Sequence, residues 1–210
     1  ERVAQRSFKY EDTESSEFHS FFESVRKSFN SLNALKIDSA QPFNSALAVL
    51  EEDWNQRDSE EEARQHELLH SLRFAEERQG LADQIAYDMS SRPDLDKVPA
   101  PVLDFLYGPW ALAMAHARLV DRDRQIDPRG YGLVVSDLVW SVKRDFTLRQ
   151  PAKLMDMIPG MLRKINSGLD LIGQGARERE AFIDVLMRLH GPVLRLRRMK
   201  SERDAQESGA

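Results

Sequence analysis

P-A-P-V-L-D-F-L-Y-G-P-W-A-L-A-M-A-H-A-R-L, from Pro99 to Leu119, is an apolar run interrupted once, at Gly108-Pro109. Val102, Leu103, Phe105, Leu106, Trp110, Leu112, Met114 and Leu119 fall on all sides of a helix of 3.6 residues per turn, which leaves no wholly polar face. A helix that is apolar all round must be covered all round. The tract therefore predicts the buried central helix of an all-α domain, with Trp110 and Phe105 packed on Phe146, Leu162 or Leu186.

Helical periodicity continues on both sides. Residues through Glu14 are polar and irregular, after which Phe18, Phe21, Phe22, Val25 and Phe29 recur at helical spacing behind Ser15 or Ser16 as N-cap. Pro42 opens a second helix with Phe43, Leu47 and Leu50 on its inner side and Trp54 at its end. Asp58 or Ser59, ahead of Glu60, Glu61 and Glu62, starts a long third helix that runs to Ser90, before Pro93. Its stripe, Leu68, Leu72, Ala75, Ala82, Ile85, Ala86 and Met89, keeps a near-heptad spacing that Gln79 interrupts. Ala63, Phe74, Leu81 and Ile85 form a side seam suited to internal packing or to a second copy of the chain.

Beyond the central tract, Asp127-Pro128-Arg129-Gly130 is a turn by composition, and Val135, Leu138, Val139, Val142 and Phe146 mark the next helix. Leu154, Ile158, Met161, Leu162, Ile165, Leu169 and Ile172 follow Pro151 as one stripe, which Pro159 is expected to kink or divide. Gly173 and Gly175 end it. The last helix carries Phe182, Ile183, Leu186 and Leu189 and meets a second Gly-Pro pair at Gly191-Pro192. No segment alternates with period two. The expected architecture is an irregular bundle of six to eight helices with essentially no sheet. It forms a single domain over 15–200, between an irregular segment 1–14 and a polar tail 201–210.

The central tract and the preceding R-F-A-E-E-R-Q-G-L-A-D-Q-I-A, Arg73 to Ala86, resemble a large family of uncharacterised proteobacterial proteins. That family is filed as a domain of unknown function, and some members are labelled thymidine phosphorylase. The resemblance implies a bacterial chain that is part of a longer protein, and it carries over no activity and no site residue. For the phosphorylase label the sequence offers no anion cradle. Gly173-Gln174-Gly175 lacks the third glycine, the lysine and the preceding strand of a phosphate loop.

Composition narrows the function classes. In 210 residues, 41% apolar content suffices for a core, while a formal net charge of −5 argues against a dedicated nucleic-acid binder, which needs a basic excess to release counterions. Cysteine is absent, so there is no disulfide and no thiolate site, in keeping with a reducing, cytoplasmic setting. The best apolar run is punctuated by Asp104, Gly108-Pro109 and His116, and so predicts no membrane-spanning helix.

His66-Glu67-Leu68-Leu69-His70 is an H-E-x-x-H, the pattern in which two imidazoles one helical turn apart bind zinc and the glutamate acts as general base. Both histidines are expected on the solvent side, away from the Leu68–Leu72 stripe, without a third ligand. The step Glu67 to His70 also matches the Glu-x-x-His of di-iron bundles. Such sites need that step twice, and His19, His66, His116 and His190 all lack a glutamate three residues earlier. His116 is expected as a hydrogen-bonded core residue and His190 as a partner of a helix C-terminus. Arg195, Arg197, Arg198 and Lys200 make a short basic amphipathic piece able to meet a polyanion.

These observations favour a non-catalytic, cofactor-free interaction or regulatory scaffold. Its partner would be another protein, another domain of the parent protein, or a second copy of the chain. The first alternative is a zinc hydrolase with His66 and His70 as ligands and Glu67 as base. Binding of nucleic acid or an anionic surface through the basic tail ranks after it.

Overall fold

The structure, a computed structural model, describes residues 1–33, 38–123 and 125–208, with side chains through 196 and at 199. It divides into two compact units, Glu1–Ser71 and Leu72–Ala210.

The first unit holds α1 (Arg2–Ser7), α2 (Ser16–Asn33) and the beginning of α3 (Gln41–Ser90). Ser15 caps α2, its hydroxyl accepting the Phe18 N–H at 3.1 Å. Phe21 and Val25 on α2 close a small core with Leu50 and Trp54 of α3, flanked by Val3, Tyr10 and Phe18. Phe22 and Phe29, from the same periodic set, are 54% and 52% exposed. Periodicity gives no helix at 2–7, yet α1 forms there, held by the Arg6 fork on the Asp58 carboxylate at 2.6 and 2.5 Å, with Lys9 on the same group at 2.5 Å. Asp58 is thus an anchor for α1 and not a helix cap. No boundary falls between Trp54 and Ser59, because no proline or glycine stands between Pro42 and Gly80 to stop the helix.

The second unit starts within α3 and continues through a 3₁₀ turn (Pro93–Leu95), α4 (Ala100–Phe105), a π turn (Leu106–Trp110) and α5 (Ala111–Val120). It ends with α6 (Tyr131–Val142), α7 (Arg144–Thr147), α8 (Pro151–Leu171) and α9 (Ala176–Ser208). Since α4, the π turn and α5 run without a gap, the described residues make eight helices and no strand. None of those helices is long and apolar enough to cross a membrane.

Gly108-Pro109 does not break the central helix. The Ala111 N–H reaches back five residues to the Leu106 carbonyl, and the widened turn gives room to the Pro109 ring, which would clash in a regular α-turn. Val102, Leu106, Trp110, Ala111, Ala113 and Ala115 are fully buried, but the cover is not complete all round: Pro101, Asp104 and Gly108, at one-turn spacing, are exposed. The Trp110 Nε1–H donates to the Tyr131 carbonyl at 3.3 Å. Phe105 stacks on Phe182 with centroids 3.6 Å apart and planes 9° apart. Leu186 joins this core and Leu162 flanks it. Phe146 does not, being 50% exposed, because α6 stops where Lys143 turns extended (φ −82, ψ 98) and Phe146 falls on α7, off the apolar face of α6.

Two turns position the helices around that centre. Gly130 takes the left-handed conformation (φ 66), and Asp127 then accepts the N–H groups of Tyr131 and Gly132 at 2.6 and 2.8 Å, capping α6. Gly173 (φ 68) ends α8 with paired bonds from its own N–H to Asp170 and from Gln174 to Leu169, a Schellman closure. Pro159 does not divide α8, and α9 passes through Gly191-Pro192 without ending.

Candidate functional site

His66, Glu67 and His70 lie on α3 where every residue from Ser59 to Arg73 is exposed. The two histidines are one helical turn apart, as the motif requires. No group of three or more His, Asp or Glu side chains able to hold a metal occurs among the described residues, whereas a zinc site takes at least three protein ligands.

The same stretch corrects the stripe of α3. Ala82 and Met89 are buried in the second unit, with Ile85 and Ala86 packed against its core. Leu68, Leu69 and Leu72 stand 59%, 54% and 52% exposed. Leucines at i, i+1 and i+4 share one side of a helix, and here Arg64, His66, Arg73 and Glu76 surround them at one-turn spacing. An apolar centre with a polar rim results. The side seam does not hold together as a surface: Ala63 is exposed, Leu81 and Ile85 pack on the core, and Phe74 meets the edge of His116 at 5.4 Å.

Of the basic tail, Arg195 is exposed on α9, followed by Leu196 and Met199 at 55% and 66% exposure. Arg197, Arg198 and Lys200 lie outside the residues whose side chains are described.

A small cavity of about 240 Å³ opens beside the π turn, with Phe105, Pro109, Leu169 and Phe182 as its apolar walls and Asp104, Gln174, Glu178 and Arg179 at its polar side. Arg179 is held by Asp170 at 2.5 Å, and Glu178 folds over Gly175, where a Cβ would lie 2.3 Å from Glu178 Oε2. The walls come from α4, the π turn, α8 and α9. Periodicity within one segment cannot reveal such a cavity, and Gly108-Pro109 is its only local signal.

Two histidines depart from expectation. His190 lies inside α9, not at a helix end, and is 1% exposed. Its Nε2 is 3.1 Å from the Ser141 hydroxyl, which also lies 2.8 Å from the Leu138 carbonyl, so the imidazole is hydrogen-bonded inside the core. Burial lowers the pKa of His190 below the ordinary histidine value. His116 is partly buried in α5, but its Nδ1 is sealed from solvent with no hydrogen-bond partner, since its neighbours on the helix are apolar.

The fold defines a class, the all-α domain assembled around one largely buried central helix. Residues 70–187 match the family model described as "Protein of unknown function (DUF1631) third domain", and the chain belongs to that family. The match begins in the exposed middle stretch of α3 and ends within α9, so it covers most of the second unit. No curated protein and no solved structure matches the chain.

Proposed function

We propose that this chain is a non-catalytic interaction domain of a larger bacterial protein, and that it binds a partner helix on α3 at Leu68, Leu69 and Leu72. The observation that carries this reading is the exposure of those adjacent leucines on a helix stretch with no cover of its own. Single exposed apolar side chains are ordinary, but a contiguous apolar patch with a polar rim is the signature of an interaction surface. The spacing suits a helix laid along α3, which would meet the leucines at successive turns. A cysteine-free composition supports a reducing, cytoplasmic setting for the complex.

The test is a Leu68→Asp, Leu72→Asp variant of the parent protein expressed in its own host. These side chains contribute nothing to either core, so the melting temperature should stay put. Proteins that co-purify with the wild type should be lost from the variant. An identical set of co-purifying proteins in both would refute the reading.

A further inference from the structure

The cover of the central helix opens at Asp104, and the cavity beside the π turn lies next to that opening. Its apolar walls are Phe105 from α4, Pro109 from the π turn, Leu169 from α8 and Phe182 from α9, so four elements of the second unit meet around one space of about 240 Å³. The wall is built into the core. Phe105 stacks on Phe182 at 3.6 Å and on Trp110 at 5.8 Å, and Leu169 is 1% exposed. The π turn contributes Pro109 to the wall, and such turns within helices are frequent at functional sites.

Size and lining set the ligand. An apolar cavity of about 150 Å³ takes up benzene, so in proportion this one has room for about ten non-hydrogen atoms. Its surface is mainly apolar, which calls for a hydrocarbon body. The charge at its mouth is negative. Asp104 and Glu178 line the cavity, are exposed, and belong to no ion pair among the described residues. The lining cation, Arg179, is already held, by Asp170 at 2.5 Å and by the Gln174 carbonyl at 3.4 Å.

We propose that this cavity is a binding site for a small primary amine with an apolar body about the size of a substituted benzene ring, its ammonium group met by Asp104 and Glu178. An ammonium group donates hydrogen bonds and accepts none, which matches two carboxylates, whereas an anionic ligand would meet like charge. The body buries apolar surface against Phe105, Pro109, Leu169 and Phe182, and the charged end fixes its orientation, the usual division of labour in a small-molecule site. Binding here is independent of the leucines on α3.

The test follows the Leu169 methyl groups by NMR in the intact chain during titration with phenethylamine, 2-phenylethanol and phenylacetate at matched ionic strength. The three probes share one body and differ in charge. Phenethylamine is expected to shift the Leu169 methyls with saturation and to bind about fivefold more tightly than the alcohol, with phenylacetate the weakest. Asp104→Asn together with Glu178→Gln should bring the amine down to the level of the alcohol. Both carboxylates are exposed, so the fold survives their replacement. Equal binding of amine and alcohol, a stronger response to phenylacetate, an amine preference that persists in the double variant, or no saturable Leu169 shift with any probe would overturn the proposal.

Discussion

The indole of Trp110 fills the space that a side chain on Gly168 would need: a Cβ there would lie 2.6 Å from Cζ3 and 3.0 Å from Cη2. Gly168 sits in α8 and Trp110 in the π turn, and both are buried. The glycine is therefore kept for close approach, not for backbone freedom. Alanine in a helix interior gains about 1 kcal/mol over glycine, but overpacking a full core costs about 1–3 kcal/mol. Gly168→Ala should therefore destabilise the domain in urea titration, while Trp110→Ala alone should cost about 3–5 kcal/mol. Placing Gly168→Ala on a Trp110→Leu background should make the alanine neutral or stabilising. An alanine that stabilises the wild type as well would show that ring and backbone are not in contact.

α1 depends on one carboxylate. Asp58 takes both arms of the Arg6 fork as well as Lys9, and the hydrogen bond from Arg6 holds its pKa well below the usual carboxylate range. A carboxylate depressed in this way contributes fully above its unfolded value near pH 4, and the contribution is lost as pH falls from there towards the folded value. Asp58→Asn should cost about 1 kcal/mol, since the cluster is only partly buried. Amide exchange at Gln5 to Ser7 should speed up in the variant at neutral pH, and in the wild type only as pH drops below about 4. Equal protection in variant and wild type would mean that α1 is held by its apolar contacts alone.

His190 gives the second unit an acid-side weakness. Its folded pKa lies below the ordinary value because it is buried, so protonation favours the unfolded chain. Stability is then complete above the unfolded value near pH 6.5 and declines as pH falls below it. His116 shifts in the same direction, so the contribution of His190 must be read by difference. In denaturation curves at about pH 7.5 and about pH 5.5, His190→Gln should narrow the gap between the two, because glutamine does not titrate. Ser141→Ala should cost about 1–3 kcal/mol at the higher pH, having left the buried His190 Nε2 without a hydrogen-bond partner. An unchanged gap in His190→Gln would assign the acid sensitivity to other groups.

For the H-E-x-x-H, weak zinc binding or none is expected. The parent chain purified without chelator or histidine tag should carry no stoichiometric zinc, and His66→Ala, His70→Ala should leave stability within about 0.5 kcal/mol, as substitutions on an exposed helix do. Stoichiometric zinc that disappears in the double variant would bring forward the hydrolase reading, with Glu67 as base.

By itself the sequence determined the helical class and the largely buried state of the 99–119 tract, because apolar residues on most sides of a helix leave little of it for water. Capping was legible as well: Ser15, the turn at Asp127-Gly130 and the stop at Gly173 act through groups only a few residues apart. Events at a distance were decided by the tertiary structure. Asp58 looks like a helix cap until Arg6 is seen to claim it, and the stripe from Leu68 to Met89 reads as one surface although only its later part meets a core. Gly108-Pro109 reads as a break, yet with Leu106 and Trp110 buried on either side of it the helix continues and the backbone yields by a single π turn. The unpaired His116 was invisible for the same reason. A pattern within one helix shows which side chains share a face, but whether a polar group on that face finds a partner depends on what the other helices bring to it.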